Sequence, residues 1–333
     1  MPQDLDDRSE TNVTDDSRAD EETCVAAVDI GGTNLRVAVA DGNGAVLARW
    51  SASTVGLRDA QLVVDLIREG VHHALRLAGR PVGSLRAVAA GAPGVTDTDR
   101  GVVIATSYLL GWRNVAQRDL LEAALGVPAA IENDVNLGAV GECWAGAASA
   151  ASDFVFLAIG TGLGAGIVLG GKLFRGSRWT AGEIGYMLVP GTSTNSVDSG
   201  QPGALETMIG GAGIRAQWQQ LWDAGGVSLP RDLSATEIFD HALAGDKTAA
   251  VILQQTARML AYAIFNIWLI FNSPLFVLGG AVGLHPALLA ATRMHLQELR
   301  GTVQPQVELS TLGADAQLFG AIRLALDTAA LLR

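Results

Sequence analysis

The stretch Val28-Asp29-Ile30-Gly31-Gly32-Thr33-Asn34-Leu35-Arg36 decides how the rest of the chain is read. An apolar run, Cys24 to Val28, enters an aspartate, two glycines and a threonine, and a second apolar run, Leu35 to Ala40, leaves at once. Two short apolar runs around a Gly-Gly tip read as a β-hairpin. Glycines at such a tip allow positive φ and a close approach of backbone to a ligand. Successive main-chain N–H groups there, with the Thr33 hydroxyl, can form a small anion-binding concavity. A lone Gly-Gly is equally an ordinary tight turn, so its meaning depends on what recurs elsewhere.

It recurs in the second half. Phe154 to Ile159 is wholly apolar and ends in Gly160-Thr161-Gly162-Leu163-Gly164-Ala165-Gly166. That stretch also fits G-x-G-x-x-A, but a dinucleotide fold needs a helix next. Instead Ile167-Val168-Leu169, the turn Gly170-Gly171-Lys172 and Leu173-Phe174 read as strand, turn and strand. Two half-chains that each open with an apolar strand, a Gly/Thr tip and a returning strand point to an internal duplication. No G-x-x-x-x-G-K-[ST] occurs, which excludes a P-loop. Between the two tips, Ala129-Ala130-Ile131 runs into Glu132-Asn133-Asp134-Val135-Asn136. Taken alone, this cluster reads as the N-cap of a helix reaching about Trp144; flanked by two glycine tips, it is also a candidate acid.

Residues 1–23 carry nine acids against Arg8 and Arg18, which is −7 of the chain's −11. So polar a tail cannot bury enough surface to offset its ordering entropy and is expected to be disordered. It has no apolar core of the kind a secretory signal needs. The remaining 310 residues suffice for two domains, and their balance is not basic enough to predict nucleic-acid binding. Cys24 and Cys143 lie far apart in apolar surroundings, as reduced core residues of a cytoplasmic protein would.

Periodicity fills in the rest. Ala45 to Trp50 makes a third strand after the Asp41-Gly42-Asn43-Gly44 turn. Leu62, Val63, Leu66, Ile67, Val71 and Leu75 recur at helical spacing within 59–77, with His72 and His73 as boundary residues rather than ligands. Leu85 to Ala90 is a buried strand whose end loop, Gly91-Ala92-Pro93-Gly94, stands where loops commonly line sites. A strand over Gly101–Ala105 and a helix from Val115 to Leu125, stopped by Gly126, precede the acidic cluster. Later helices are expected over 204–222, interrupted by Gly210-Gly211 and Gly213, from the capping box Ser234-Ala235-Thr236-Glu237, over 285–299, and over 317–332 with Asp315 as cap. Met259 to Phe271 is almost entirely apolar, but thirteen residues are too few to span a bilayer, so it reads as a buried core helix before the strand Leu275 to Leu278.

These motifs together resemble the ROK family of sugar kinases and related repressors, most closely its glucokinase branch. The resemblance covers nearly the whole chain after residue 23. It is carried by Asp29-Ile30-Gly31-Gly32-Thr33, Glu132-Asn133-Asp134, Gly160-Thr161-Gly162-Leu163-Gly164, Ala181-Gly182-Glu183-Ile184-Gly185, Gly203-Ala204-Leu205-Glu206 and Val277-Leu278-Gly279-Gly280-Ala281. It implies an α/β chain with the two-domain actin-like/ribonuclease H-like ATPase fold: duplicated mixed sheets flanked by helices. The expected division is 24–133 with 314–333 as the first domain and 134–313 as the second, larger one.

Further implications concern chemistry. Asp134 would be the general base that takes the proton of a sugar hydroxyl as it attacks the γ-phosphorus of ATP. Asn133, Glu183, Glu206 and Gly94 would hold the sugar. Gly31, Gly32 and Thr33 on one side, and Gly160, Thr161 and Gly162 on the other, would bind the phosphates, and Gly279 and Gly280 the adenosine. Asp29 would hold Mg²⁺ through water, since Mg²⁺ dehydrates reluctantly. Partners are then a small sugar and ATP, with no nucleic acid or membrane, in a homo-oligomeric dimer or tetramer. The 6-hydroxyl of glucose leads among acceptors; N-acetylmannosamine, mannose, fructose and allose share the motifs, and some relatives use polyphosphate as donor.

The chain departs from the family where many members follow Glu-x-Gly with a zinc-binding histidine; here that place is Tyr186. The family's zinc cysteines would fall around Thr192 to Ala204, and none is there, so no zinc is expected. The loop from Pro190 to Pro202 must be held by other means. Tyr108 stands where many relatives have asparagine before Gly-Trp. Two other functions fit parts of the pattern: a non-catalytic sugar sensor of the repressor branch, against which the short acidic tail counts, and a dinucleotide-dependent oxidoreductase, which only the Gly160 stretch favours.

Overall fold

A computed structural model describes residues 23–106, 112–193, 201–299 and 304–331. The acidic tail and Tyr108 lie outside the described residues, as does part of the loop expected to replace the zinc segment.

The hairpin is formed by β1 (Cys24–Ile30) and β2 (Asn34–Asp41), and β3 (Val46–Ser53) pairs antiparallel on its outer side. Helix α1 (Ala60–Leu77) follows, its first turn capped by the Asp59 carboxylate, which accepts the Gln61 N–H at 2.8 Å. Its buried stripe takes in Val64, while Leu62 is turned to solvent, a one-residue offset from the periodicity. Next come β4 (Leu85–Ala92) and a small antiparallel sheet of β5 (Val95–Asp97), β6 (Val102–Ala105) and β7 (Arg113–Val115). Val115 closes that sheet, so α2 (Gln117–Leu125) starts two residues later than expected; Gly126, at φ 69°, ends it. Strand β8 (Ala129–Asn133) runs straight into α3 (Asp134–Ala145).

The second half repeats the plan with β9 (Phe154–Ile159), β10 (Leu163–Leu169) and β11 (Lys172–Leu173). The helical segment expected over 204–222 breaks at Gly210, within the expected interruption, into α4 (Glu206–Ile209) and α5 (Gly211–Asp223). The capping box of α6 (Ala235–Leu243) is formed as expected. The apolar run 259–271 proves to be the end of a 25-residue helix, α7 (Lys247–Phe271). Only its face up to Ile267 is core, since Leu269 and Ile270 are exposed. Strand β12 (Leu275–Gly279), α8 (Gly280–Gly283), α9 (Pro286–Glu298), β13 (Gln306–Leu309) and α10 (Ala316–Ala330) complete the chain. No helix among the described residues is long and apolar enough to cross a membrane.

Strand order exposes the duplication. The first sheet runs β3-β2-β1-β4-β8 and the second β11-β10-β9-β12-β13. In each, three strands are antiparallel neighbours and the last two join in parallel. This is the actin-like/ribonuclease H-like ATPase fold with duplicated mixed sheets.

Alternation along the central strands sorts their side chains by face. Cys24, Ala26, Val28 and Ile30 pack in one cluster with α1, and Val25 and Ala27 in another with Leu318, Ala321, Ile322 and Ala325 of α10. In β9, Val155, Leu157 and Ile159 face the large core of α4–α9, and Phe154 and Phe156 face Ala139 of α3. Helices α10 and α3 therefore each cover the inner face of one sheet, and they meet each other between the sheets. Gly141 and Gly320 are what let them meet: a Cβ on Gly141 would run into the Ala316 carbonyl, and one on Gly320 into that of Leu137.

Gly320→Ala should thus destabilise the protein by about 1–3 kcal/mol, the usual range for overpacking. Gly83→Ala, where a Cβ meets nothing within 4 Å, should stay within about 0.5 kcal/mol of wild type. Urea unfolding of the two variants checks this.

Candidate active site

The two glycine tips stand at the ends of β1 and β9, and the chain between the sheets puts the acidic cluster beside them. A cleft of about 800 Å³ is lined by Gly31, Gly32, Thr33, Gly94, Asn133, Asp134, Gly160, Thr161, Gly162, Glu183, Glu206 and Gly280. Asp29 and Gly279 do not line it. Gly279 is buried, and a Cβ there would strike the Phe156 ring, so packing rather than a ligand accounts for that glycine.

The first tip is tied down from β3. Gly31 donates its N–H to the Asn34 carbonyl at 2.9 Å. The buried Thr54 donates its N–H to the Thr33 carbonyl at 3.0 Å and its hydroxyl to the Gly31 carbonyl at 2.9 Å. With those groups engaged, the N–H groups of Gly32 and Thr33 are left for an anion. Neither Gly31 nor Gly32 has positive φ, contrary to the reading of the tip as a left-handed turn. At the second tip the Gly160 N–H donates to the Gly162 carbonyl at 3.1 Å, so it is engaged within the protein, contrary to its expected part as a donor to phosphate. A Cβ at Gly160 would meet no protein atom within 4 Å, which leaves room for a ligand against the backbone.

Between the tips, Asn133 is the N-cap of α3. Its Oδ1 accepts the Asn136 N–H at 3.0 Å, and its Nδ2 donates to the Gly94 carbonyl at 2.9 Å. Capping is therefore real, and it uses Asn133 and Gly94 together to fix the start of the helix. Asp134, the next residue, is free to face the cleft. Glu132 belongs to the Glu132-Asn133-Asp134 motif but was given no role there, yet it organises the segment. Its buried carboxylate accepts the Asn133 N–H at 2.9 Å, the Asn136 Nδ2 at 2.9 Å, and Arg175 Nε at 2.7 Å. Only the tertiary arrangement could reveal Arg175, 43 residues away, as its partner.

Electrostatics changes the starting point for Asp134. Burial, and after it the nearby Asp29 carboxylate, push its pKa up to about 7, with a further contribution from Glu183. Glu183 is itself raised by burial and by its neighbour Glu206. Asp29 is paired with Arg36, directly opposite it in the β1–β2 register, whose Nε and Nη2 reach Oδ2 at 2.9 and 2.6 Å. Arg36 also approaches Asp315, which binds Arg49 at 2.8 Å. Asp315 thus holds β3 instead of capping α10, as its position had suggested.

As for metal, no three His, Cys, Asp or Glu residues among the described residues are grouped so that they could hold an ion. One carboxylate at the foot of a phosphate-sized tip suits a cation that arrives on the ligand and is reached through water, which is how Mg²⁺ commonly binds. At the place of the family's histidine, the Tyr186 hydroxyl donates to the Gln201 carbonyl at 2.9 Å and so closes the loop after the Glu183 segment.

A duplicated α/β architecture with two glycine tips facing one acid-lined cleft places the chain in the class of proteins with the actin-like ATPase fold. The chain belongs to the ROK family, whose profile matches residues 25–328. It is similar to the glucokinase of Halalkalibacterium halodurans, 29% identical over 309 residues, covering 88% of this chain and 92% of that one. A ROK hexokinase from Thermus thermophilus is similar in structure at a TM-score of 0.73, with 31% identity over 91% of this chain and 98% of that one. So is a ROK family glucokinase from Streptomyces griseus in complex with glucose and AMPPNP, at a TM-score of 0.77 and 27% identity, covering 91% and 99%.

The raised Asp134 pKa makes a prediction about stability. Its folded value lies above its unfolded one, so its contribution to stability is fully present below about pH 4 and is lost as pH rises through about 7. Asp134→Asn should match wild type in Tm near pH 4 and exceed it by several degrees at pH 8. Thermal unfolding across that range checks it.

Proposed function

We propose that the chain is an ATP-dependent sugar kinase of glucokinase type, with glucose the leading acceptor and Asp134 the general base. The observation that carries this reading is the convergence on one cleft of two glycine tips from duplicated halves, with Asp134 between them and Glu183 and Glu206 alongside. The glycine tips suit a triphosphate, and the carboxylates suit a polyhydroxylated neutral molecule whose hydroxyls need acceptors. The relatives' names as glucokinases and hexokinase, and the AMPPNP in one of the structures, favour the same assignment.

In this reading the sugar hydroxyl loses its proton to an Asp134 carboxylate oxygen as its own oxygen forms a bond to the γ-phosphorus. The bond from that phosphorus to the β–γ bridging oxygen breaks, and its electron pair leaves with ADP. Because the transition state is loose, positioning and charge stabilisation supply most of the rate. The N–H groups of Gly32, Thr33, Thr161 and Gly162 take up phosphate charge from two sides, and Gly280 lies against the adenosine. Mg²⁺, when bound, would neutralise phosphate charge, and Asp29 would be the residue that holds it through water. Glu183 and Glu206 accept sugar hydroxyls, while Asn133 and Gly94 act mainly by fixing the start of α3. We take 24–133 with 314–333 and 134–313 as the two domains. Their closure over the cleft excludes water and limits ATP hydrolysis. Polyphosphate as donor and a dimeric or tetrameric assembly belong to the same proposal as its open variants.

An Asp134 pKa near 7 is well matched to a general base, which works best near the operating pH. ADP release from Mg-ATP, measured across aldoses, ketoses and N-acetylhexosamines, tests the assignment. Sugar-dependent turnover should appear and fall by roughly 10²-fold or more in Asp134→Ala. In the wild type, kcat/KM should drop about tenfold per pH unit below about 7. Sugar binding without turnover from any donor would mean a sensor instead of a kinase.

A further inference from the structure

Three described residues other than glycine adopt positive φ: Asn114 at 53°, Asn272 at 50° and Trp179 at 56°. Asparagine tolerates this region, and Asn272 uses it to end α7. A tryptophan there is a genuine outlier, held against a steric cost that a glycine would avoid. Such strain persists only where the surroundings over-determine it, and it gathers at functional sites.

The surroundings of Trp179 are well fastened. On one side Arg175 is bound to the buried Glu132, and the Ala181 N–H reaches back to the Arg175 carbonyl at 3.3 Å. On the other, Gly182 sits at φ 93°, its carbonyl accepting the Ala165 N–H of β10 at 2.9 Å. The loop between these anchors holds Trp179 half-buried at the cleft, among the same lining as Asp134, Glu183, Tyr186 and Glu206. Its local backbone gains nothing from the indole.

We propose that Trp179 is a specificity-determining residue of the sugar site, whose indole covers one face of a pyranose ring. The inference rests on the sugar-kinase reading and names the acceptor class within it. Carboxylates recognise the equatorial hydroxyls at the ring's edge. A flat aromatic surface recognises the C–H groups that an all-equatorial aldopyranose presents on its faces. An axial hydroxyl, as in allose, or a furanose ring, as fructose can form, breaks that face. Trp179 therefore selects the gluco configuration over both. Pockets of this kind combine aromatic walls with a few placed polar groups.

The test compares Trp179→Gly, Trp179→Asn and Trp179→Phe with wild type in the full-length chain. Glucose and allose dissociation constants are measured by calorimetry without nucleotide, alongside the KM for ATP and the Tm. Glycine and asparagine both tolerate the backbone conformation, so at least one should fold with a Tm equal to or above that of wild type. In it, glucose binding should weaken about tenfold or more. The preference for glucose over allose should shrink by a similar factor, the KM for ATP should change less than about twofold, and the phenylalanine variant should recover most of the affinity. Unchanged glucose affinity and unchanged preference in a folded variant would overturn the role of Trp179 while leaving the kinase reading intact. A wild-type protein that binds no sugar would overturn both.

Discussion

The buried carboxylate of Glu132 is the constraint on which the site depends. It ends β8 of the first sheet, yet its strongest partner is Arg175, which follows the last strand of the second sheet's hairpin. Its other oxygen accepts the Asn133 N–H and the Asn136 amide, so the first turn of α3 is held by one side chain from two directions. A buried carboxylate is costly unless every lone pair is used, and removing a partner from such a pair usually costs several kcal/mol. The same group therefore fixes the segment that carries Asp134 and anchors the loop that carries Trp179. Any change that loosens Arg175 reaches both.

Charge is handled differently on the two sides of the cleft. Asp29, Asp134, Glu183 and Glu206 crowd one region, and their mutual repulsion with burial keeps Asp134 and Glu183 above the ordinary carboxylate range. Asp29 forms an ion pair with Arg36 at 2.6 Å. Period-2 alternation puts Asp29 on the same face of β1 as Val25 and Ala27, the face covered by α10, and Arg36 is its cross-strand partner. One register shift would send the aspartate to the α1 side and leave both charges without a partner. The glycine tip and the Asp29–Arg36 charge pair are thus set by the same hairpin.

Symmetry supplies the frame and asymmetry the chemistry. Both sheets present a glycine tip at the end of their central strand, and both are backed by an inner helix, α10 or α3. The inner helices approach closely because Gly141 and Gly320 leave no Cβ between them. At the cleft, α3 takes over directly from β8, with no connecting loop between them. That continuity puts Asp134 one residue past a strand end, where an N-cap asparagine holds the backbone still. The second half, in contrast, expands into α4–α9, whose first turns bring Glu206 next to Glu183.

Much of this was legible in the chain itself. Strand runs such as Phe154–Ile159, the glycine tips and the repeat of their order are local patterns, set by backbone sterics and side-chain alternation, so the duplicated α/β fold follows from sequence. The candidate acid and the residues around the cleft were legible because short motifs carry their own geometry. What needed the tertiary structure was every pairing made across distance: Arg175 with Glu132, Thr54 with the Gly31–Thr33 tip, Asp315 with Arg49 instead of its own helix, and the carboxylate cluster that raises Asp134. Helix limits that depend on packing, as at Val115 and the long α7, also waited on the fold. Sequence determines what each residue can do within a few positions of itself. Burial, and the partners that burial brings together, exist only once the chain has closed.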